Sequence, residues 1–441
     1  MNSSARALVS NSPPAMRMVA PGKAMVTWRQ SKIVSPESTG WITNTWNDIE
    51  QALQSQSPAL TSLRRASERP EIDFNVNYRL GAFLRMPHLN AMKEAALVLS
   101  PAAIDALHRG DSAEAVTNIH TLLALVNAWK EPVLISQLVR IAMTQMAVPG
   151  QWELLQSSNV TDQQLELLQR DWAALDFGRA MEHALVVERA WSSVTIQQLR
   201  TSNSPSSAMS SGLYGSGSRR SAGPGSWLGS LGSSAKHKAA DTLWRVAWSH
   251  SDELQVLKGD GVLLEAMRQA QTNGYFKDAL STRDRKLGAL WLHEPGTDWL
   301  RNKLDDRFAS WDVESVQSVS HSLERVLAVE AARRITVAGI ALKRYQLRHA
   351  KFPPELNALV PEFLPEVPRD PVDGHALRYQ LNTDGTFALY SIGTDSVDNG
   401  GDPTPDGTPK SLQWQRGRDW VWPQPATAEE IRKFYDQPPG H

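Results

Sequence analysis

Three aspartates, Asp395, Asp398 and Asp402, stand close together in the stretch SIGTDSVDNGGD, among Gly393, Gly400 and Gly401. Carboxylates in a glycine-rich loop suit a hard cation. Calcium takes six to eight oxygens, at about 2.3–2.6 Å, from carboxylates, carbonyls and water in a flexible cage. Asp395 and Asp402 would supply the charge. The glycines, through φ > 0 conformations, would let the backbone turn its carbonyls inward. The loop is not an EF-hand, because the Asp-x-Asp-x-Asp-Gly register and the terminal Glu are missing. It contains no histidine, and a catalytic metal would want one, or an open position with a base nearby. The ion's role would therefore be structural, cross-linking a loop too rich in glycine to hold itself. The competing reading is a solvated turn whose aspartates cap their own backbone.

Other chemistry is sparse. The chain has no cysteine, which excludes disulfides, thiolate-ligated metals and thiol catalysis. Ser233-Ser234-Ala235-Lys236 matches the Ser-x-x-Lys string of penicillin-binding enzymes, but it lies in a Ser/Gly-rich stretch without the companion motifs. Gly223, Gly225 and Gly229 miss the dinucleotide-binding spacing and follow no strand. No nucleophile elbow or phosphate loop is present. The histidines are dispersed, and His375 lies nearest the acidic stretch. Arg333, Arg334, Lys343 and Arg344 read as the solvated face of a helix. Sixteen tryptophans suggest core and domain packing, with a partner or glycan surface as the sharper alternative. A formal net charge of −1 gives no reason to expect nucleic acid or an anionic membrane as partner; protein partners are expected instead.

The elements that would position the acidic stretch are mostly helical. At 441 residues the chain has room for two or three domains. Residues 1–40 are rich in small polar residues and prolines and read as a disordered N-terminus, without an apolar stretch long enough for a signal peptide. Residues 41–200 read as a helical domain, a bundle or stacked hairpins. Its signals include Trp46, Ile49 and Leu53 on one face, the stop-and-cap Gly110-Asp111-Ser112, Pro132 in the first turn of a helix bearing Leu134, Leu138 and Ile141, and a cap at Thr161-Asp162. The segment ALHRGDSAEAVTNI is similar to a tetratricopeptide hairpin, without a 34-residue period. Residues 201–238 form a Ser/Gly-rich linker. Helix resumes over 239–315, with Leu243, Val246 and Ala247 sharing a face.

From Val316 to His349 one apolar stripe runs through Leu327, Ala331, Ile335, Ala338, Leu342 and Tyr345, and Lys351-Phe352-Pro353-Pro354 ends the helix. A short helix at 355–360 and a proline-rich passage follow. The period then switches to two. The runs 377–381 and 387–392 flank Asn382-Thr383-Asp384-Gly385, the signal for a hairpin. The fold class is therefore mainly α: helices first, then a long helix with a small antiparallel sheet over 316–425, and a tail at 426–441. No apolar run approaches the roughly 20 residues of a membrane span.

The C-terminal residues carry a family likeness. Tyr345, Phe352-Pro353, Pro368-Arg369-Asp370-Pro371-Val372-Asp373-Gly374 through Tyr379, and Ser391-Ile392-Gly393-Thr394-Asp395 through Asp402 keep an order and spacing that resemble the periplasmic domain of the major pseudopilins of type II secretion systems. That resemblance implies a calcium ion held by the side chains of Asp395 and Asp402 and the main-chain carbonyls of Ile392 and Thr404. Asp398 lies outside the family pattern and would be dispensable. The whole layout also resembles a group of large planctomycete- and verrucomicrobia-type bacterial proteins in which a helical region precedes such a unit, a resemblance that carries no activity with it.

Two classes of function follow. The first is a non-enzymatic structural or scaffolding protein of the cell envelope, periplasmic by resemblance and connected with secretion, with Ca²⁺ as a structural ion. The second is an enzyme with its site in the helical region, or a helical-repeat binding module, in which case a cytoplasmic setting is equally open.

Overall fold

The computed structural model describes residues 15–37, 40–205, 238–291, 311–405 and 413–436. It is mainly helical, with small sheets at the margins. Most of the linker expected at 201–238, including Ser233–Lys236 and Gly223–Gly229, lies outside these residues.

The helices of the body are α1 (Trp46–Ser55), α2 (Ser57–Ser67), α3 (His88–His108), α4 (Ser112–Ala128), α5 (Leu134–Leu155), α6 (Asp162–Ala174), α7 (Phe177–Thr201), α8 (Ser249–Asn273), α9 (Lys277–Trp291) and α10 (Trp311–His349). Local chemistry sets their ends. Thr45 and Asp48 form a reciprocal capping box at α1, as Thr161 and Gln164 do at α6. Asp111 caps α4 after Gly110 has reversed the chain at φ 80°. Helix α5 starts one residue after Val133, with Pro132 ahead of it. Its buried face is not led by Leu134 and Leu138, which are half-buried, but by Ser136, Gln137, Arg140 and Ile141. The polar three are tolerated because each is paired: Ser136 with the Glu131 carboxylate, Gln137 with the Glu131 carbonyl, and Arg140 with the Val126 carbonyl. Ahead of α8, Trp244 is buried and donates to Asp252, while Val246 is 74% exposed, so the face expected there is turned.

Helix α10 is the spine. It touches α5, α6, α7 and α8, so it is buried nearly all round and not along one stripe. This overturns the reading of its arginines as a solvated face. Arg344 is 5% exposed and donates to Asp162 at 2.7 Å and Gln169 at 3.2 Å across α6. Arg334 reaches the Arg369 carbonyl, and Arg333 reaches Glu330.

Three small sheets complete the chain. Strands β5 (Arg378–Leu381) and β6 (Phe387–Ser391) form the expected hairpin, closed by Gly385 at φ 82°, and β7 (Trp420–Val421) adds to β6. Strands β3 (Ile33–Glu37) and β4 (Gly40–Asn44) pair with each other. Strands β1 (Arg17–Ala20) and β2 (Lys23–Met25) pair, and β8 (Gln424–Pro425) joins β2 in parallel. Residues 15–37 are therefore structured, contrary to the disorder expected from composition. Met16, Met18, Ala24 and Val26 enter the main core, a non-local stabilisation that local composition does not show. The expected tail contains a capped helix, α11 (Ala428–Tyr435). One apolar core runs from Met16 to Trp422, and the boundary expected at 315/316 does not divide it.

Candidate functional site

The acidic stretch leaves β6 and packs beside the turn at 368–374. That turn is organised by Asp370, whose carboxylate is fully buried and accepts from the amides of Val372 and Ile392 and the hydroxyl of Ser391, at 2.8–3.0 Å. Burial raises its pKa against these donors and the nearby Arg378. Arg378, on β5, is a three-way clamp: it reaches Asp370 at 3.1 Å, Asp373 at 2.6 Å and Asp398 at 3.3 Å. Burial alone would raise Asp373, but the Arg378 guanidinium and the His375 amide bring it down to about 2. His375 is an exposed partner of Asp373 and is not turned to the loop.

Within the loop the aspartates have distinct surroundings. Asp395 is exposed, accepts the Val397 amide at 3.0 Å and holds the Asn399 side chain at 3.4 Å. Asp402 has its pKa lowered by the Thr404 side chain first and then by the Thr404 amide, which it accepts at 2.9 Å, and it meets Arg418 at 3.4 Å. Asp398, expected to be dispensable, is the most engaged of the three: Arg378, the Tyr390 hydroxyl and the Gly400 amide all donate to it. The Asx turns expected of a solvated loop are thus present. The amide of Ile392 faces Asp370, and the carbonyl of Thr404 accepts from the Arg418 amide at 3.0 Å.

The residue that organises the loop is Asp419, just ahead of β7. Its carboxylate is fully buried and takes the amides of Asn399 (3.1 Å), Gly401 (2.7 Å) and Asp402 (3.1 Å). Its own amide donates back to the Asp402 carbonyl at 3.0 Å. Gly393, Gly400 and Gly401 have the positive φ expected of them, 69°, 70° and 80°. Towards the Asp419 carboxylate, however, the 399–402 backbone presents N–H groups, because a buried carboxylate needs donors. Glycine is required at 393 on space as well, since a Cβ there would sit 2.7 Å from the Arg418 carbonyl. Sequence reasoning missed Asp419, whose signal, a lone acid before a two-residue strand, is weak.

For calcium the donor set fits in part. Asp395 and Asp402 offer carboxylates on exposed or half-exposed turns. Of the aspartates at 370, 373, 395, 398, 402 and 419, four meet an arginine: 370, 373 and 398 at Arg378, and 402 at Arg418. Arg334 also acts on Asp370, and Lys277 reaches the Ser396 carbonyl at 3.4 Å, so the surplus of negative charge that would favour a cation is small. Arg418 competes for Asp402. Among the described residues no three carboxylate or histidine side chains converge in metal-ligand geometry; the arrangement implied by the resemblance uses two carboxylates and main-chain carbonyls.

Compared with models of known protein families, with curated proteins and with solved structures, the chain matches none of them.

Elsewhere, an open groove beside α6 is lined by Gln169, Arg170, Arg344, Glu362 and Phe363. Its buried polar groups are engaged with one another, Gln169 donating to the Phe363 carbonyl and accepting from Arg344. Among the described residues no helix is long and apolar enough to cross a membrane.

Proposed function

We propose that this chain is a non-enzymatic structural or scaffolding protein of the bacterial cell envelope, connected with secretion, in which a calcium ion braces the loop from Ile392 to Thr404. The observation that carries the reading is how the charged groups around that loop are used. Asp370, Asp373 and Asp398 close on Arg378, and Asp419 closes on the loop amides, so these groups hold structure. Asp395 is exposed and has no arginine partner among the described residues, and Asp402 meets the half-exposed Arg418 at 3.4 Å, a partner that an added cation could replace. A single apolar core joining the helical body to the C-terminal unit suits a rigid scaffold. The envelope and the secretion role come from the pseudopilin resemblance.

Two experiments test this reading. Calorimetric titration of the full chain with calcium should show one site, and its absence would remove the ion from the account. Fractionation of the producing cells should recover the protein with the envelope, and recovery wholly with the cytosol would refute the placement.

A further inference from the structure

Glu153, near the C-terminus of α5, is a fully buried carboxylate, 0% exposed, with no ion-pair partner among the described residues. All the donors that act on it belong to one stretch of chain some 130 residues away. The Met16 amide reaches it at 2.9 Å, the Thr27 amide at 3.0 Å, and the Thr27 hydroxyl and the Trp28 amide complete the set. The Trp28 indole donates to the Glu153 carbonyl at 3.1 Å. The segment that carries these donors contains β1 and β2. It lays Met16, Met18, Ala24 and Val26 on the main core and pairs with β8. Its turn at Gly22 rests on Pro403, with a Cβ at Gly22 falling 2.9 Å from the proline ring, next to Asp402.

We propose that residues 16–28 form a clip latched by the protonation state of Glu153, which opens as a unit more readily once that carboxyl loses its proton. The geometry has the parts of a latch: one buried titratable group, partners drawn from one short segment and, among the described residues, no ion pair to compensate its charge. A buried carboxylate without a counter-ion disfavours its charged form, and here burial outweighs the four donors, placing the pKa at about 7. In the open state the carboxyl meets water and returns to the ordinary glutamate range near 4.3. The closed state therefore holds the proton more tightly. The clip is most secure below about pH 4, and its advantage falls as pH rises towards about 7.

The charged groups on the elements around Glu153 do not reverse this. On α3, His108 bonds the Trp28 carbonyl; on the clip, Arg29 bonds the Gln156 carbonyl; and on α10, Lys343 lies near Arg29. None of these is among the largest influences on the Glu153 carboxyl, and each has its own partner elsewhere. The β7–β8 side brings Trp422 and Pro423, which carry no charge, with the Trp152 indole donating to the Pro423 carbonyl. Opening would release β8 and the Pro403 side of the acidic loop together. The inference does not depend on calcium.

The test is hydrogen exchange on the full chain without added metal, corrected for intrinsic rates, at pH 5 and pH 8. Protection of the 16–28 amides should fall at least tenfold between these values, while that of the buried 327–342 segment of α10 changes less than twofold. In Glu153→Gln the 16–28 profile should be flat with pH. Carboxyl ¹³C shifts in the wild type should place the Glu153 midpoint near 7, which keeps the test decisive if the variant does not fold. A flat wild-type profile, an equal fall in Glu153→Gln, or a midpoint at or below 4.5 would overturn the proposal.

Discussion

The Asp419 carboxylate accepts the Gly401 amide at 2.7 Å, so the acidic loop is anchored by a residue outside it, through its backbone. The loop is wound around this anion by the amides of Asn399, Gly401 and Asp402, and its own aspartates are left facing outward or sideways. Two consequences follow. The loop has a fixed shape before any ion arrives, and the anchor acts separately from the groups proposed to bind one.

Asp419→Ala should therefore leave three inward amides without acceptors and cost about 1–3 kcal/mol. Urea denaturation would measure the cost. Hydrogen exchange should show the loss of protection concentrated at Gly401 and Asp402. An unchanged midpoint would mean that these amides find water easily and that Asp419 is not the anchor.

Removing the clamp should be more costly. Arg378→Met leaves Asp370, which is fully buried, with its amide and hydroxyl donors and only the more distant Arg334 among the described cations, at about 2–4 kcal/mol. The same clamp predicts an acid transition. Asp373 has a folded pKa of about 2, below its ordinary value, so its contribution is fully present above about pH 4 and is lost as pH falls towards 2. Thermal melts between pH 5 and 2 should show this fall, and in Asp373→Asn the part due to this residue should be missing.

The spine can be tested at Arg344. Because it is 5% exposed and joins α10 to Asp162 and Gln169 of α6, Arg344→Ala should destabilise by about 2–4 kcal/mol, far more than a surface arginine would. A loss under 0.5 kcal/mol in urea denaturation would return this residue to the solvated face that its charge alone suggests.

What the sequence made legible was what is local. The caps at Thr161 and Asp111, the stop at Gly110 and the Asp384-Gly385 hairpin each depend on a few neighbouring residues. The positive φ of Gly393, Gly400 and Gly401 was legible for the same reason. What was not legible depends on distant partners. Strand β2 is fixed by β8 about 400 residues on, and Asp419 becomes the loop's anchor only when β7 pairs with β6. Arg344 looks like a surface residue until α6 is laid against it. The Asp398 side chain had no family role to mark it, yet it bridges Arg378 and Tyr390. The core shared across 315/316 was not legible either, because an amphipathic stripe on α10 says that a face is buried, without saying how many neighbours bury the rest.

The most direct test of the account is the melting temperature of the full chain with calcium and with a chelator; a 315–425 fragment would lack part of the shared core. An ion at about 100 times its dissociation constant stabilises by about 2.7 kcal/mol, so chelation should lower the melting temperature by roughly 2–5 °C. Asp395→Ala and Asp402→Ala should abolish that difference. Asp398→Ala should lower both melts and keep the difference. Equal melting temperatures with and without calcium in the wild type, or a difference that survives both Asp395→Ala and Asp402→Ala, would contradict the calcium-braced loop.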